Sequence, residues 1–159
     1  MIRASVNSED ISRWGQKPVK ILEYVQMRVN RLLIMLQAKI VGEKLQGQVL
    51  RHITGKLSRS VVVIPAELRG TVVTGYVEAA APPAAYGVGH ERGTDSSYEI
   101  VAVRKKALMW IAAGGAKRFA TKVMHPPIKR RSFMVSSLNE MRTQILEELS
   151  AATAEGMGK

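Results

Sequence analysis

The sequence predicts an α+β domain, and three observations predict it. A long run of apolar residues at helical spacing stands near the N-terminus, alternating Val-, Ile- and Thr-rich segments fill the middle, and a second helical stripe closes the chain. The expected architecture is a long N-terminal helix and a C-terminal helix packed on a meandering antiparallel sheet of about four strands. At 159 residues the chain suits one domain. Residues 1–16 read as an N-terminal arm, 17–50 as the long helix, 54–125 as the sheet with a long loop at 81–97, 132–154 as the C-terminal helix and 155–159 as a frayed tail.

The long helix rests on Val19, Leu22, Val25, Val29, Leu32, Leu36 and Ile40, three or four residues apart. Pro18 fits the first turn, where its missing N–H is no loss. Gly42 and Gly47 are expected to fray or bend the second half. In RLLIMLQ, Leu33, Ile34 and Met35 widen the stripe beyond what one sheet face covers. Leu32, Ile34, Met35 and Leu36 are therefore expected to contribute to a subunit interface as well as to the core, in preference to a fully buried central helix.

TGKLSRSVVVIPAELRG and TVVTGYVEAAA read as two antiparallel strands. In the second, Val73, Gly75, Val77 and Ala79 alternate with Thr74, Tyr76 and Glu78, the pattern of a strand with one wetter face. APPAAYGVGHERGTDSS, rich in Pro, Gly and small polar residues, reads as a loop, and its length marks it for function. SYEIVAV is a third strand, KKALMWIAA fits strand or helix, and AKRFATKVM is a fourth strand ending at His125. In the closing helix Phe133, Met134, Leu138, Met141, Ile145 and Leu149 share a face.

Lysine and arginine number 24 against 13 acidic residues, and the net charge of +11 favours an acidic or nucleic-acid partner. There is no cysteine, which excludes disulfides and thiolate metal sites. Neither a signal-peptide core nor a membrane-length apolar run is present, so a soluble protein used without export, with no membrane partner, is expected. His52, His90 and His125 lie in separate segments without metal-ligand spacing. His90, Glu91 and Asp95 come nearest to a metal set, but they share a loop rather than a rigid frame. Nucleophile-elbow, P-loop and dinucleotide fingerprints are missing, and neither cofactor nor catalysis is expected. Lys129, Arg130 and Arg131, with Arg104, Lys105, Lys106, Lys117, Arg118 and Lys122, form either a phosphate-neutralising patch or a solvated rim.

MHPPIKRRSFM, residues 124–134, reads as a corner. Pro126 and Pro127 cannot donate to a ladder and stop the strand, Ser132 is a good N-cap, and Phe133 and Met134 anchor the last helix. His125 reads as a hydrogen-bonding turn residue.

Taken in order, these features resemble the head-tail joining and tail-completion family of tailed bacteriophages, the neck proteins related to minor tail protein Z of lambda. The resemblance runs from about Lys17 to Leu149. Its Thr-Gly-x-Leu turn corresponds to Thr54, Gly55 and Leu57. Its Glu-x-Gly-Thr element corresponds to Glu91, Gly93 and Thr94, after a pair seen here as Ala85 and Tyr86. Its His-Pro-Gly turn, basic residues and Pro-Phe correspond to His125, Pro126 and Pro127, Lys129 to Arg131, and Ser132 and Phe133. Pro127 stands for the usual glycine and Ser132 for the usual proline, and both keep a strand-to-helix corner.

The resemblance implies a non-enzymatic virion protein of the neck, assembled in the host cytoplasm as a ring, commonly a hexamer. Such a ring completes the tail and joins it to the filled head, touching connector, tail-terminator or tail-tube proteins. The loop's prolines, glycines and small residues cannot bury enough apolar surface to order themselves, so a docking loop through Ala85, Tyr86, Glu91, Arg92, Gly93 and Thr94 is expected, mobile until docked, with Glu91 and Arg92 then pairing across the joint. Some basic residues, Lys129, Arg130 and Arg131 among them, would face passing DNA. The competing expectation is a basic, sequence-independent nucleic-acid-binding module.

Overall fold

A computed structural model of the protein describes residues 2–5, 18–50, 55–79, 85–112 and 114–158. The α+β class is as expected. Helix α1 runs Pro18–Lys39 and continues as a π-helical segment, Ile40–Gln48. The bend falls at Gly47, whose φ of 111° suits glycine, while Gly42 stays within the helical run.

Strand β1 (Ile2–Ser5), a helical turn α2 (Lys56–Ser60), β2 (Val61–Arg69) and β3 (Val72–Ala79) come next. The three strands form one antiparallel sheet in the order β1-β3-β2, with Ile2 opposite Gly75 and Val63 opposite Val77. Part of the expected N-terminal arm is thus a strand. The segment after Gly55, expected to open β2, instead makes a turn of helix in which Ser58 and Ser60 hydroxyls donate to the carbonyls of Gly55 and Leu57.

The expected four-strand meander is divided further. β4 (Tyr98–Val101) pairs with β7 (Lys122–His125), and β5 (Leu108–Ile111) pairs with β6 (Lys117–Ala120), each as a separate antiparallel ladder. KKALMWIAA therefore contributes a strand. The 81–97 loop holds helix α3, Ala85–Arg92. The glycines that argued against a helix there let it pack closely: a Cβ on Gly87 would stand 2.8 Å from Leu57 Cδ1 and 3.6 Å from the Phe133 ring.

The closing helix is two, α4 (Met134–Glu140) and α5 (Arg142–Met157), broken at Met141. α5 runs through most of the expected frayed tail. Gly156 is buried there and Gly158 ends the helix in the left-handed region, φ 78°.

α1 lies between the sheet and α5. Val25, Val29, Leu32, Leu33, Leu36 and Ile40 are buried among Val61, Ala66, Val73 and Val77 of the sheet and, from the C-terminal part, Phe133 before α4, Met141 between α4 and α5, and Ala152 of α5. This accounts for the wide apolar stripe: α5 covers what the sheet does not. Leu32 and Leu36 belong to the chain's own core, so the expected four-residue interface does not stand as such. Leu32 is 1% exposed, Met35 is half-buried against the core, and Ile34 alone of the four is open, at 60%. Val19, expected on the buried stripe, is 61% exposed.

Polar side chains of α1 finish the sheet. The register shifts between Ile64 and Glu67, around Pro65, which has no N–H to give. Asn30 Oδ1 accepts from the Ala66 N–H at 2.7 Å, and Gln26 Nε2 donates to the Ala66 carbonyl at 2.8 Å. Gln37 Nε2 donates to the Val61 carbonyl at 2.8 Å. Backbone groups beside a bulge are thereby satisfied from the helix.

Candidate functional site

Two stretches read separately in the sequence, the Glu91–Thr94 element and the corner after His125, meet in one clasp. The Glu91 carboxylate sits at the start of α4. Its Oε2 accepts from the N–H groups of Phe133 (2.7 Å) and Met134 (3.0 Å). Its Oε1 accepts from the Val135 N–H (3.0 Å) and the Ser132 hydroxyl (2.6 Å). Free N–H groups at a helix start are ordinarily capped by a neighbour in sequence, and here the cap comes from another helix. Ser132, expected as the N-cap, accepts only a long bond from the Ser136 N–H, 3.3 Å.

Three further hydrogen bonds complete the clasp. The Thr94 N–H donates to the Ile128 carbonyl at 2.9 Å, and the Thr94 hydroxyl accepts from the Ile128 N–H at 2.7 Å. The Arg131 N–H donates to the His90 carbonyl at 2.7 Å. Gly93, φ 75°, passes so near this strand that a Cβ would stand 3.1 Å from the Arg130 nitrogen and the Ile128 oxygen. Burial alone would raise the pKa of Glu91, but the hydrogen bonds from Met134, Ser132, Phe133 and Val135 outweigh it and hold the carboxyl below its ordinary value. This corrects the docking-loop expectation. Glu91, Gly93 and Thr94 serve internal order, and Glu91 is already committed, leaving it unable to pair across a joint without opening the clasp. Tyr86 and Arg92 are exposed, and Ala85 opens α3.

Beside the clasp, and sharing Thr94, Ile128 and Arg131 with it, His90 lines a cavity of about 630 Å³ together with Tyr98, His125 and Lys129. Tyr98 and His125, paired across β4 and β7, stack at 5.1 Å. His125 Nδ1 donates to the Pro126 carbonyl at 2.7 Å, the turn bond expected of it. Lys129, Arg130 and Arg131 are exposed in the corner, and Phe133 is buried beneath it. That burial is worth roughly 1.5–3 kcal/mol.

Sequence reasoning missed a third feature, an arm. Beyond β4 and β7 a single bond, Ala102 N–H to the Thr121 carbonyl at 2.9 Å, leads to the outer ladder of β5 and β6. Residues 103–107 have no partners on the opposite strand, since Leu108 already faces Ala120. The tertiary contacts of β5 and β6 are chiefly with each other. Met109 faces Phe119, and the same side carries Ile111; they are 55%, 66% and 67% exposed. Arg104, Lys105, Lys106, Lys117 and Arg118 are exposed on the same arm. The alternation of Met109 and Ile111 with Trp110 was the available signal, masked by the apolar run around it.

Among the described residues no group of three or more His, Cys, Asp or Glu could hold a metal ion. Glu91 of the weighed His90, Glu91 and Asp95 set is taken up by α4. No helix among the described residues is long and apolar enough to cross a membrane. His52, Thr54 and residues 81–84 of the expected loop lie outside the described residues. The chain matches no family model, no curated protein and no solved structure in comparisons with each.

Proposed function

We propose that the protein is a structural assembly subunit, a component of the neck of a tailed phage that forms a ring, completes the tail and joins it to the DNA-filled head. The observation that carries this reading is the outer ladder. Met109, Ile111 and Phe119 expose an apolar patch, with Lys117 at its edge, on one side of a two-stranded ribbon, and such a ribbon has no second layer of its own to bury it. A neighbouring subunit would supply that layer. The order of motifs that resembles neck proteins supports the same assignment, and the work it implies is assembly rather than catalysis. Electron microscopy of a lysate from a phage lacking the gene tests it: unjoined filled heads and tails are expected, and normal particles would remove the assignment.

A second reading has its own observation. The arm carries Arg104, Lys105, Lys106, Lys117 and Arg118 on a ribbon of a width that DNA's major groove admits. Sequence-independent nucleic-acid binding by this arm would weaken steeply with salt. Retention on duplex DNA at physiological salt by the isolated protein would favour it over the assembly reading.

A further inference from the structure

The cavity beside His90 is built from three places in the chain: α3 gives Tyr86 and His90, the base of the arm gives Tyr98 and His125, and the corner gives Lys129 and Arg131. Its volume, about 630 Å³, lies within the range of small-molecule sites. Among the described residues no carboxylate lines it. The nearest acid in sequence, Glu91, is turned to α4 and consumed by four hydrogen bonds. Two permanent cations and two imidazoles thus share a concave space with no anion among its described walls.

The histidines differ in what they have left to offer. His125 Nδ1 is engaged with the Pro126 carbonyl, and its ring is braced on Tyr98. His90 stands edge-on to Tyr86, ring centroids 6.3 Å apart, and its Nδ1 is buried with no hydrogen-bond partner among the described residues. An orphaned buried polar atom is uncommon and is costly unless something satisfies it. Burial, then Arg131, then His125 lower the pKa of His90, the mark of like charges converging on a half-enclosed ring.

We infer that this cavity binds a flat aromatic molecule carrying a compact anionic group, a phosphate or a carboxylate. The anion is held by Arg131, Lys129 and the His90 ring, and the aromatic body lies against Tyr86 and Tyr98. A guanidinium offers paired donors to either anion, and the tyrosine rings offer the stacking surface. The inference is independent of the assembly reading, because it uses neither the outer ladder nor any second copy.

The test is a titration of the full-length protein with phenyl phosphate, benzoate, inorganic phosphate and phenol, followed by the histidine ring resonances in NMR. An aryl anion is expected to bind with a Kd below about 1 mM and to move the His90 titration to higher pH. Inorganic phosphate and phenol, each lacking half of the ligand, should bind about tenfold more weakly or worse. Tighter binding of phenyl phosphate than of benzoate assigns the site to phosphorylated small molecules. The reverse order assigns it to carboxylates, an acidic group of another polypeptide included. R131Q and K129Q keep the backbone bonds of the clasp, so they should fold normally and weaken binding about tenfold, whereas K106Q on the arm should leave it unchanged. The inference is overturned if neither aryl anion shifts His90, or if K106Q weakens binding as much as R131Q does.

Discussion

Gly156 of α5 lies against the backbone of Ile21 in α1: a Cβ on this glycine would stand 2.5 Å from the Ile21 Cα and 3.0 Å from its nitrogen. Two helices this close tolerate no side chain, because the obstacle is main chain and cannot rotate away. G156A should therefore destabilise the protein by roughly 1–3 kcal/mol even though alanine is the better helix former by about 1 kcal/mol. At Gly42 a Cβ meets nothing within 4 Å, and G42A should be neutral or stabilising by up to about 1 kcal/mol. Urea midpoints of the two variants check the pair, and equal shifts would contradict the packing described for α5.

Removing the cap tests the clasp. E91A should lower stability by about 1–2 kcal/mol, the range for loss of a helix N-cap. The contribution has a pH signature. A carboxyl whose native pKa is depressed adds stability in full above its unfolded pKa, about 4.3, and loses it as pH falls through the native value. The stability gap between wild type and E91Q should be open at pH 7 and narrow as the pH falls below the ordinary glutamate value, about 4.3. A gap that stays constant over that range would sink the capping role.

Leu32 and Ile34 are two residues apart and face different surroundings. L32A should cost about 2–5 kcal/mol as a core truncation, while I34D at an open position should stay within about 0.5 kcal/mol. Thermal unfolding of the purified variants distinguishes them. If I34D unfolds the protein, the placement of α1 between sheet and α5 is wrong.

The arm is the place where assembly and stability should separate. M109D or F119D should leave the unfolding midpoint of the monomer within about 0.5 kcal/mol of wild type, and yet abolish self-association in sedimentation velocity. Unchanged association in both variants would count against the outer ladder as the contact.

Much of the fold is legible in the sequence because the signals are local. The 3.6-residue spacing of Leu22, Val25, Val29, Leu32, Leu36 and Ile40 fixes the inward face of α1, and the alternation around Val73 and Val77 fixes β3. What the spacing does not carry is the partner. The surplus at Leu33 and Met35 reads as a subunit interface until α5 is seen on the other side. α3 was hidden because Gly87 and Gly89 argue for a loop on propensity, whereas close packing on Leu57 and Phe133 decides the matter. The cap by Glu91 spans more than 40 residues in sequence, and no capping rule for neighbours reaches that far. Of the site residues, His125 ends β7, Lys129 to Arg131 are exposed after it and Phe133 is buried before α4, but the pairing of Glu91 with the corner belongs to tertiary structure.

The unmatched residues 103–107 have a consequence for how the arm meets anything. Each ladder has only four pairs, and the two are joined through Thr121 on one side and a slack, cationic bow on the other. Ribbons that short hold shape weakly on their own. The tip is thus joined to the body by few bonds: its charge draws it toward acidic surfaces from a distance, and its final angle is expected to follow the surface that covers its apolar side.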